Sequence, residues 1–263
     1  MSHILKEGLD DYIRKMRATG IISLRDAGNY VDIDSLQSKK ADYIIKTYSE
    51  MPSSFATDLD YFKYASAKDE ELFTIISESH TEKGKAQLLD RWVDELSHEA
   101  VRKELIVLTK VHNSKDELLK LIPAPARLEF LISIYTKQSF PEVTVIPQYS
   151  MDDEGLPRST AAGNVADIKC FENNNAILIE VTMATGRNQT VMEGGPVARH
   201  LRNEIAKETA NRKVMVQFVA PSIYPDTKEY FRFLKHNDKL NIKTKSVQEY
   251  IAFCGKSSTL FES

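Results

Sequence analysis

Two acids in this chain stand in a setting that suits a hard divalent cation. Asp167 lies in the run Asn164-Val165-Ala166-Asp167-Ile168-Lys169-Cys170-Phe171, and Glu180 lies in Ala176-Ile177-Leu178-Ile179-Glu180-Val181-Thr182. The intervening Glu172-Asn173-Asn174-Asn175 reads as a turn between two apolar runs, so the segment is expected to form a hairpin. Asp167 is near the start of the first strand and Glu180 near the end of the second. Antiparallel pairing therefore brings the two carboxylates together. Mg²⁺ takes a few carboxylate oxygens and completes its shell with water and phosphate. Alternation along a strand puts Lys169 on the face of Asp167, and Leu178 and Thr182 on the face of Glu180. Val181 points the other way and offers a cation only its backbone carbonyl. Taken alone, the spacing also fits two solvated carboxylates on an exposed hairpin.

The elements that must carry this hairpin divide the chain in two. Pro123 and Pro125 mark the expected boundary, because a residue before proline is pushed out of the helical region. Beyond it, a helix is expected at 126–138, strands at 143–146, 165–171, 176–183, 214–220 and 240–244, and helices at 196–210, at 224–236 and from Ser246 onward. That order reads as α/β, a mixed sheet flanked by helices, over 123–263. The part before it, 1–122, reads as mainly helical. It opens with a helix over 3–19, two short strands at 21–25 and 30–33, and a helix starting near Ser35. This is the layout of a winged-helix element and equally of a small packing subdomain. A helical pattern then runs from Lys68 to about Lys120. His80, His98 and His112 fall outside any metal-ligand spacing and are expected to be surface or internally satisfied histidines.

The bulk properties narrow the class without deciding it. The 263 residues are 42% hydrophobic, enough for a sizeable core. No apolar run reaches the roughly 18 residues that span a bilayer, and the N-terminus lacks a signal-peptide core, so a cytoplasmic location away from membranes is expected. Cys170 and Cys254 form no CxxC pattern and are expected to be reduced core residues. The 35 Lys and Arg against 38 Asp and Glu give a net charge of −3. That balance speaks against a protein that coats nucleic acid, but it leaves room for an enzyme with a local basic face and acidic metal ligands.

The Asp on one strand and the acid on the next resemble the PD-(D/E)xK nuclease superfamily, with one departure. The superfamily has lysine two positions after the second acid, and here Thr182 stands there. Further segments narrow the likeness: Pro147-Gln148-Tyr149, Asp152 to Pro157, Ala161 to Asp167, Thr185-Gly186-Arg187-Asn188-Gln189 and Glu193 to Leu201. With Glu180-Val181-Thr182, they resemble the AlwI-type family of type IIS restriction and nicking endonucleases. Arg17-Ala18-Thr19-Gly20 and the hairpin after it are also similar to the region preceding the catalytic domain in that family.

The resemblance implies an active site of Asp167, Glu180 with Val181, and Glu193, holding Mg²⁺ and hydrolysing double-stranded DNA one strand at a time. Cutting both strands then requires a second protomer or subunit. Glu193 is placed by the resemblance; read locally, it is a negative charge before a helix that Pro196 would start. Arg187, Gln189, Arg199, His200 and Arg202 surround the site as candidates for contacting phosphate or stabilising the transition state, and each also fits a solvated face. Lys169 is a candidate for the missing lysine's role. Glu129, in Arg127-Leu128-Glu129-Phe130-Leu131, sits on the helix from which superfamily members often bring a further glutamate; a surface salt bridge is its alternative. Two other functional classes stay open: a PD-(D/E)xK nuclease of repair or transposition, and an inactive nuclease-fold subunit that binds DNA or assembles others.

Overall fold

The computed structural model describes residues 2–110 and 113–262, so His112 lies outside the described residues. It divides into two compact units, one formed by residues up to His80 with Asp152–Glu154, the other by Thr81–Met151 and Gly155 onward.

The first unit contains α1 (Ser2–Ala18), the antiparallel pair β1 (Ile22–Arg25) and β2 (Tyr30–Ile33), α2 (Ser38–Ser49) and α3 (Asp58–Thr74). A helix, a hairpin and a second helix thus occur where the sequence places them. Few apolar side chains are buried here, and charge pairs contribute much of the interior. Arg17, 2% exposed, donates to Asp152 at 3.2 Å, while Arg25 grips Asp153 through two hydrogen bonds of 2.7 and 2.9 Å. Bidentate guanidinium–carboxylate pairing fixes geometry as well as charge.

The second unit holds the sheet. Its elements are α4 (Glu82–Glu95), α5 (His98–Leu108), α6 (Ala124–Ser139), β3 (Thr144–Pro147), β4 (Tyr149–Met151), β5 (Pro157–Ala161), β6 (Ile168–Glu172), β7 (Asn175–Val181), α7 (Arg187–Lys207), β8 (Lys213–Ala220), α8 (Pro225–Asn237), β9 (Ile242–Ser246) and α9 (Val247–Cys254). Five strands form a mixed sheet in the order β3-β6-β7-β8-β9, antiparallel across β3, β6 and β7 and parallel from β7 to β9. Helices α7 and α8 cover one face through Val197, Leu201, Phe231 and Leu234 against Leu178, Val216 and Phe218. This is the α/β architecture expected of the sequence. The small β4–β5 pair was not anticipated, because its strands are short and interrupted by bulges.

Two boundaries differ from expectation. The units part at His80, not at Pro123, because α4 packs on β3 and α6, and α5 packs on α6. Helix α7 begins at Arg187, nine residues before Pro196. The proline is inside the helix, where it forfeits one backbone hydrogen bond. The chain turns into α7 at Gly186, whose φ of 59° and ψ of −152° fall in a region open essentially to glycine.

Helix α6 is buried on all sides from Ala126 to Thr136, which is why it shows no clean amphipathic stripe. Cys170 and Cys254 are free and buried, as expected. His80 meets the Asp152 carbonyl at 3.1 Å, and His98 stacks on Tyr135 at 4.6 Å. Among the described residues no helix is long and apolar enough to cross a membrane.

Candidate metal centre

The β6–β7 hairpin turns at Asn173 and Asn174, where Asn173 adopts φ of 50°, a left-handed conformation that asparagine tolerates. This turn sets the register. Ile168 pairs with Ile179, so continuing the ladder by one residue sets Asp167 opposite Glu180. A two-residue turn on one end of the hairpin thus positions two carboxylates at the other. Asp167 stands just before β6 and accepts a 2.7 Å hydrogen bond from the Val181 N–H.

Each further acid has its own support. Glu180, 5% exposed, places Oε1 2.8 Å from His200 Nδ1, and His200 Nε2 is 3.3 Å from the Gly163 carbonyl. The Thr182 hydroxyl donates to Glu193 Oε1 at 2.6 Å and accepts the Ala184 N–H. From α6, Glu129 accepts the Ala161 N–H at 3.0 Å and is 3% exposed. All four acids, with Val181, Thr182 and His200, line one cleft of about 680 Å³.

Burial and mutual repulsion act together on these groups. Burial raises the Asp167 carboxyl well above its ordinary range, and the Glu180 charge adds to it. Burial raises Glu180 as well, although its contact with His200 works against the shift. Glu129 is pushed up to about 9 by burial and by Asp167. The hydrogen bond to Glu180 raises His200. Clustered carboxylates that resist ionising in each other's company are the electrostatic setting a divalent cation relieves.

Among the described residues, no three His, Cys, Asp or Glu side chains already converge closely enough to hold a metal ion. The donor set nonetheless fits a hard one. Asp167, Glu180 and Glu193 each commit one oxygen to a hydrogen bond and keep the second clear of any other among the described residues. Carboxylate oxygens are the ligands Mg²⁺ prefers.

Several expected roles change. Glu193 does not precede a helix; it sits in the second turn of α7, on the same helical stripe as His200, because the helix starts at Arg187. Gln189 is fully buried, donates to the Ala184 and Ser222 carbonyls at 2.9 Å each, and accepts the Tyr224 N–H. Its amide holds the loops together and has no group left for DNA. Lys169 points to Glu82 and Glu204, at 3.8 and 3.9 Å, and does not line the cleft. Glu129 is a buried member of the cleft, not a surface ion-pair partner. Arg187 is exposed at the start of α7, and Arg199 is exposed with Nη2 3.4 Å from the Gly163 carbonyl. Val181 commits its N–H to Asp167, which leaves the expected carbonyl ligand on a residue already fixed beside that acid. The grip of His200 on Glu180 and of Thr182 on Glu193 escaped the sequence reading. Glu193 and His200, seven residues apart, share a helix face once α7 is started at Arg187.

Comparison with known proteins gives the family and the fold. The model of the family described as AlwI restriction endonuclease matches residues 70–251. No curated protein matches the chain. Among solved structures, the small subunit of the heterodimeric restriction endonuclease R.BspD6I superposes with a TM-score of 0.50 at 20% identity, over 60% of this chain and 77% of that one. Restriction endonuclease FokI gives a TM-score of 0.45 at 12% identity, over 69% of this chain and 32% of that one.

Proposed function

Because the chain belongs to the AlwI restriction endonuclease family, we propose that it hydrolyses DNA phosphodiester bonds with Mg²⁺, as the cleavage domain or subunit of a type IIS restriction or nicking enzyme. The observation that carries the reading is that Asp167, Glu180 and Glu193 line one cleft inside the matched region. Fold alone would not support it, since one fold hosts many activities.

In this reading Asp167 and Glu180 hold the cation through the oxygens their hydrogen bonds leave clear, with the Val181 carbonyl beside them. A bound Mg²⁺ supplies Lewis-acid stabilisation of the charge that builds on the phosphate. His200 fixes the orientation of Glu180. Glu193, held by Thr182, orients the attacking water and accepts its proton, standing in for the absent lysine. Arg187 and Arg199 contact the phosphates on either side of the scissile bond.

One such cleft cuts one strand, so double-strand cleavage needs a second protomer or a partner subunit. The similar R.BspD6I chain is described as a small subunit of a heterodimer, and a comparable partnership is proposed for this chain. Thr182 at the lysine position favours one competing reading, a nuclease fold that binds DNA or assembles others without cutting.

Supercoiled plasmid incubated with the full chain in Mg²⁺ tests the proposal. Open circles forming before linear DNA, and none in EDTA, are expected. Discrete fragments with a partner subunit support a restriction enzyme over a repair nuclease. No cutting, alone or with a longer partner chain, supports the non-catalytic reading.

A further inference from the structure

A second charged cleft, outside the site described above, lies between α8 and the sheet edge. Lys228, Arg232 and Lys235 recur at spacings of four and three on α8 and so form one stripe. Lys243 and Lys245 lie two apart on β9, the edge strand of the five-stranded sheet. These five cations line a cavity of about 450 Å³.

The two acids in its wall are already committed. Glu262 pairs with Lys245. Glu249 accepts the Ser246 N–H and hydroxyl at 2.7 and 2.8 Å, closing the cap of α9. Among the described residues Lys228, Arg232 and Lys235 form no ion pair. Lys245, 9% exposed, is fixed by Gln217 at 2.7 Å and by the Phe253 ring at 4.4 Å. The like charge of Lys243 holds the neighbouring Lys235 ammonium below its usual range.

We infer that the α8–β9 cleft is a binding site for the phosphodiester backbone of DNA flanking the cut. The inference rests on the reading of the chain as a DNA nuclease. The helical stripe from Lys228 to Lys235 extends on the order of 10 Å, so it matches a line of phosphates better than one small anion. Strand register links it to the metal centre, since Glu180 pairs with Phe218 and Phe218 with Thr244 in the cleft wall. Two strand spacings separate Glu180 from Thr244, roughly 10 Å. A duplex carrying one charge every ~1.7 Å of its axis presents further phosphates within that span.

The test is anisotropy of a short fluorescent duplex titrated in EDTA with the full-length chain, from about 50 to 200 mM salt. Wild type is compared with Arg232→Gln/Lys235→Gln/Lys243→Gln and with a control, Lys103→Gln/Lys110→Gln. The triple variant is expected to bind about tenfold more weakly or worse, with a log–log salt slope shallower by roughly 2 to 3, near 0.9 per lost phosphate contact. The control should match wild type. If the triple variant misfolds by circular dichroism, exposed Arg232→Gln alone should make the slope shallower by about 1. Unchanged affinity and slope overturn the inference, as does an equal loss in the control. Plasmid cleavage by wild type is read in parallel. Cleavage with unchanged slopes removes the cleft and keeps the nuclease; shallower slopes without cleavage remove the nuclease and keep the cleft.

Discussion

The Thr182 hydroxyl donates to Glu193 Oε1 at 2.6 Å, so the residue just past β7, two after Glu180, orients a third acid of the cleft. Among the described residues, Glu193 is the one of the four acids in the cleft that is oriented by a side-chain hydroxyl. Thr182→Val keeps the shape and removes the donor. It is expected to lower kcat about 10- to 100-fold with little change in KM, while Thr182→Ser retains most activity. Steady-state cleavage of a defined duplex checks this, and a Val variant as fast as wild type would remove Thr182 from the mechanism.

His200 is expected to act through Glu180. Replacing it with alanine leaves a buried carboxylate with no partner at Oε1. Supporting hydrogen bonds of this kind are worth about 10- to 100-fold in metal affinity or activity. The Mg²⁺ concentration for half-maximal cleavage should rise in His200→Ala and recover in part in His200→Gln, whose amide can donate to Glu180. An unchanged Mg²⁺ dependence in both variants would contradict the role.

The buried acids set a pH dependence of stability in the metal-free protein. Glu129 titrates near 4.5 in the unfolded chain and is pushed up to about 9 in the folded one, so folding tightens its proton. A group of that kind contributes its full stability below the unfolded value and loses it as pH rises through the folded one. Asp167, Glu180 and His200 are shifted in the same direction. The melting temperature in EDTA should therefore fall between about pH 5 and pH 8, and Glu129→Gln should flatten that fall. Mg²⁺ should stabilise more at the upper end, where its ligands are ionised. A melting temperature that climbs over this range without metal would show the acids to be differently placed.

Helix packing fixes where Glu193 stands. A Cβ on Gly194 would lie 3.0 Å from Tyr230 Cε1 and 3.1 Å from Cδ1, so the Tyr230 ring of α8 packs directly on the α7 backbone. Gly194→Val is expected to lower stability by about 1 to 3 kcal/mol through overpacking and to slow cleavage. Pairing it with Tyr230→Ala should recover part of both losses, measured as a double-mutant cycle of thermal melts. Strict additivity of the two substitutions would contradict the contact.

Gln189 should behave as a structural residue. Its amide makes three hydrogen bonds to backbone groups in a fully buried setting, so Gln189→Ala is expected to cost about 2 to 4 kcal/mol. DNA affinity of the folded fraction should not change. A variant that melts normally but binds DNA weakly would restore the contact role.

What the sequence made legible follows from range. The strand pattern around Asn173 and Asn174 specified the pairing of Asp167 with Glu180, because hairpin register is a local consequence of turn length. The start of α7 was misplaced because Pro196 reads locally as a first-turn proline, whereas the helix continues through it under cover of α8 and the sheet. That one error hid the shared face of Glu193 and His200. The burial of Glu129 was equally invisible, since α6 is enclosed by α4, α5, β3 and β5 and no local signal reports enclosure. Lys169 shares a strand face with Asp167 as alternation requires, yet Glu82 and Glu204 draw its ammonium aside.

The metal centre is tested most directly by scoring nicking of supercoiled plasmid in Mg²⁺ and in EDTA for wild type, Asp167→Ala and Glu180→Ala, each verified as folded. Wild type should nick only with Mg²⁺, and both variants should leave the plasmid supercoiled. Mg²⁺-dependent nicking that survives both substitutions would place the chemistry elsewhere in the chain.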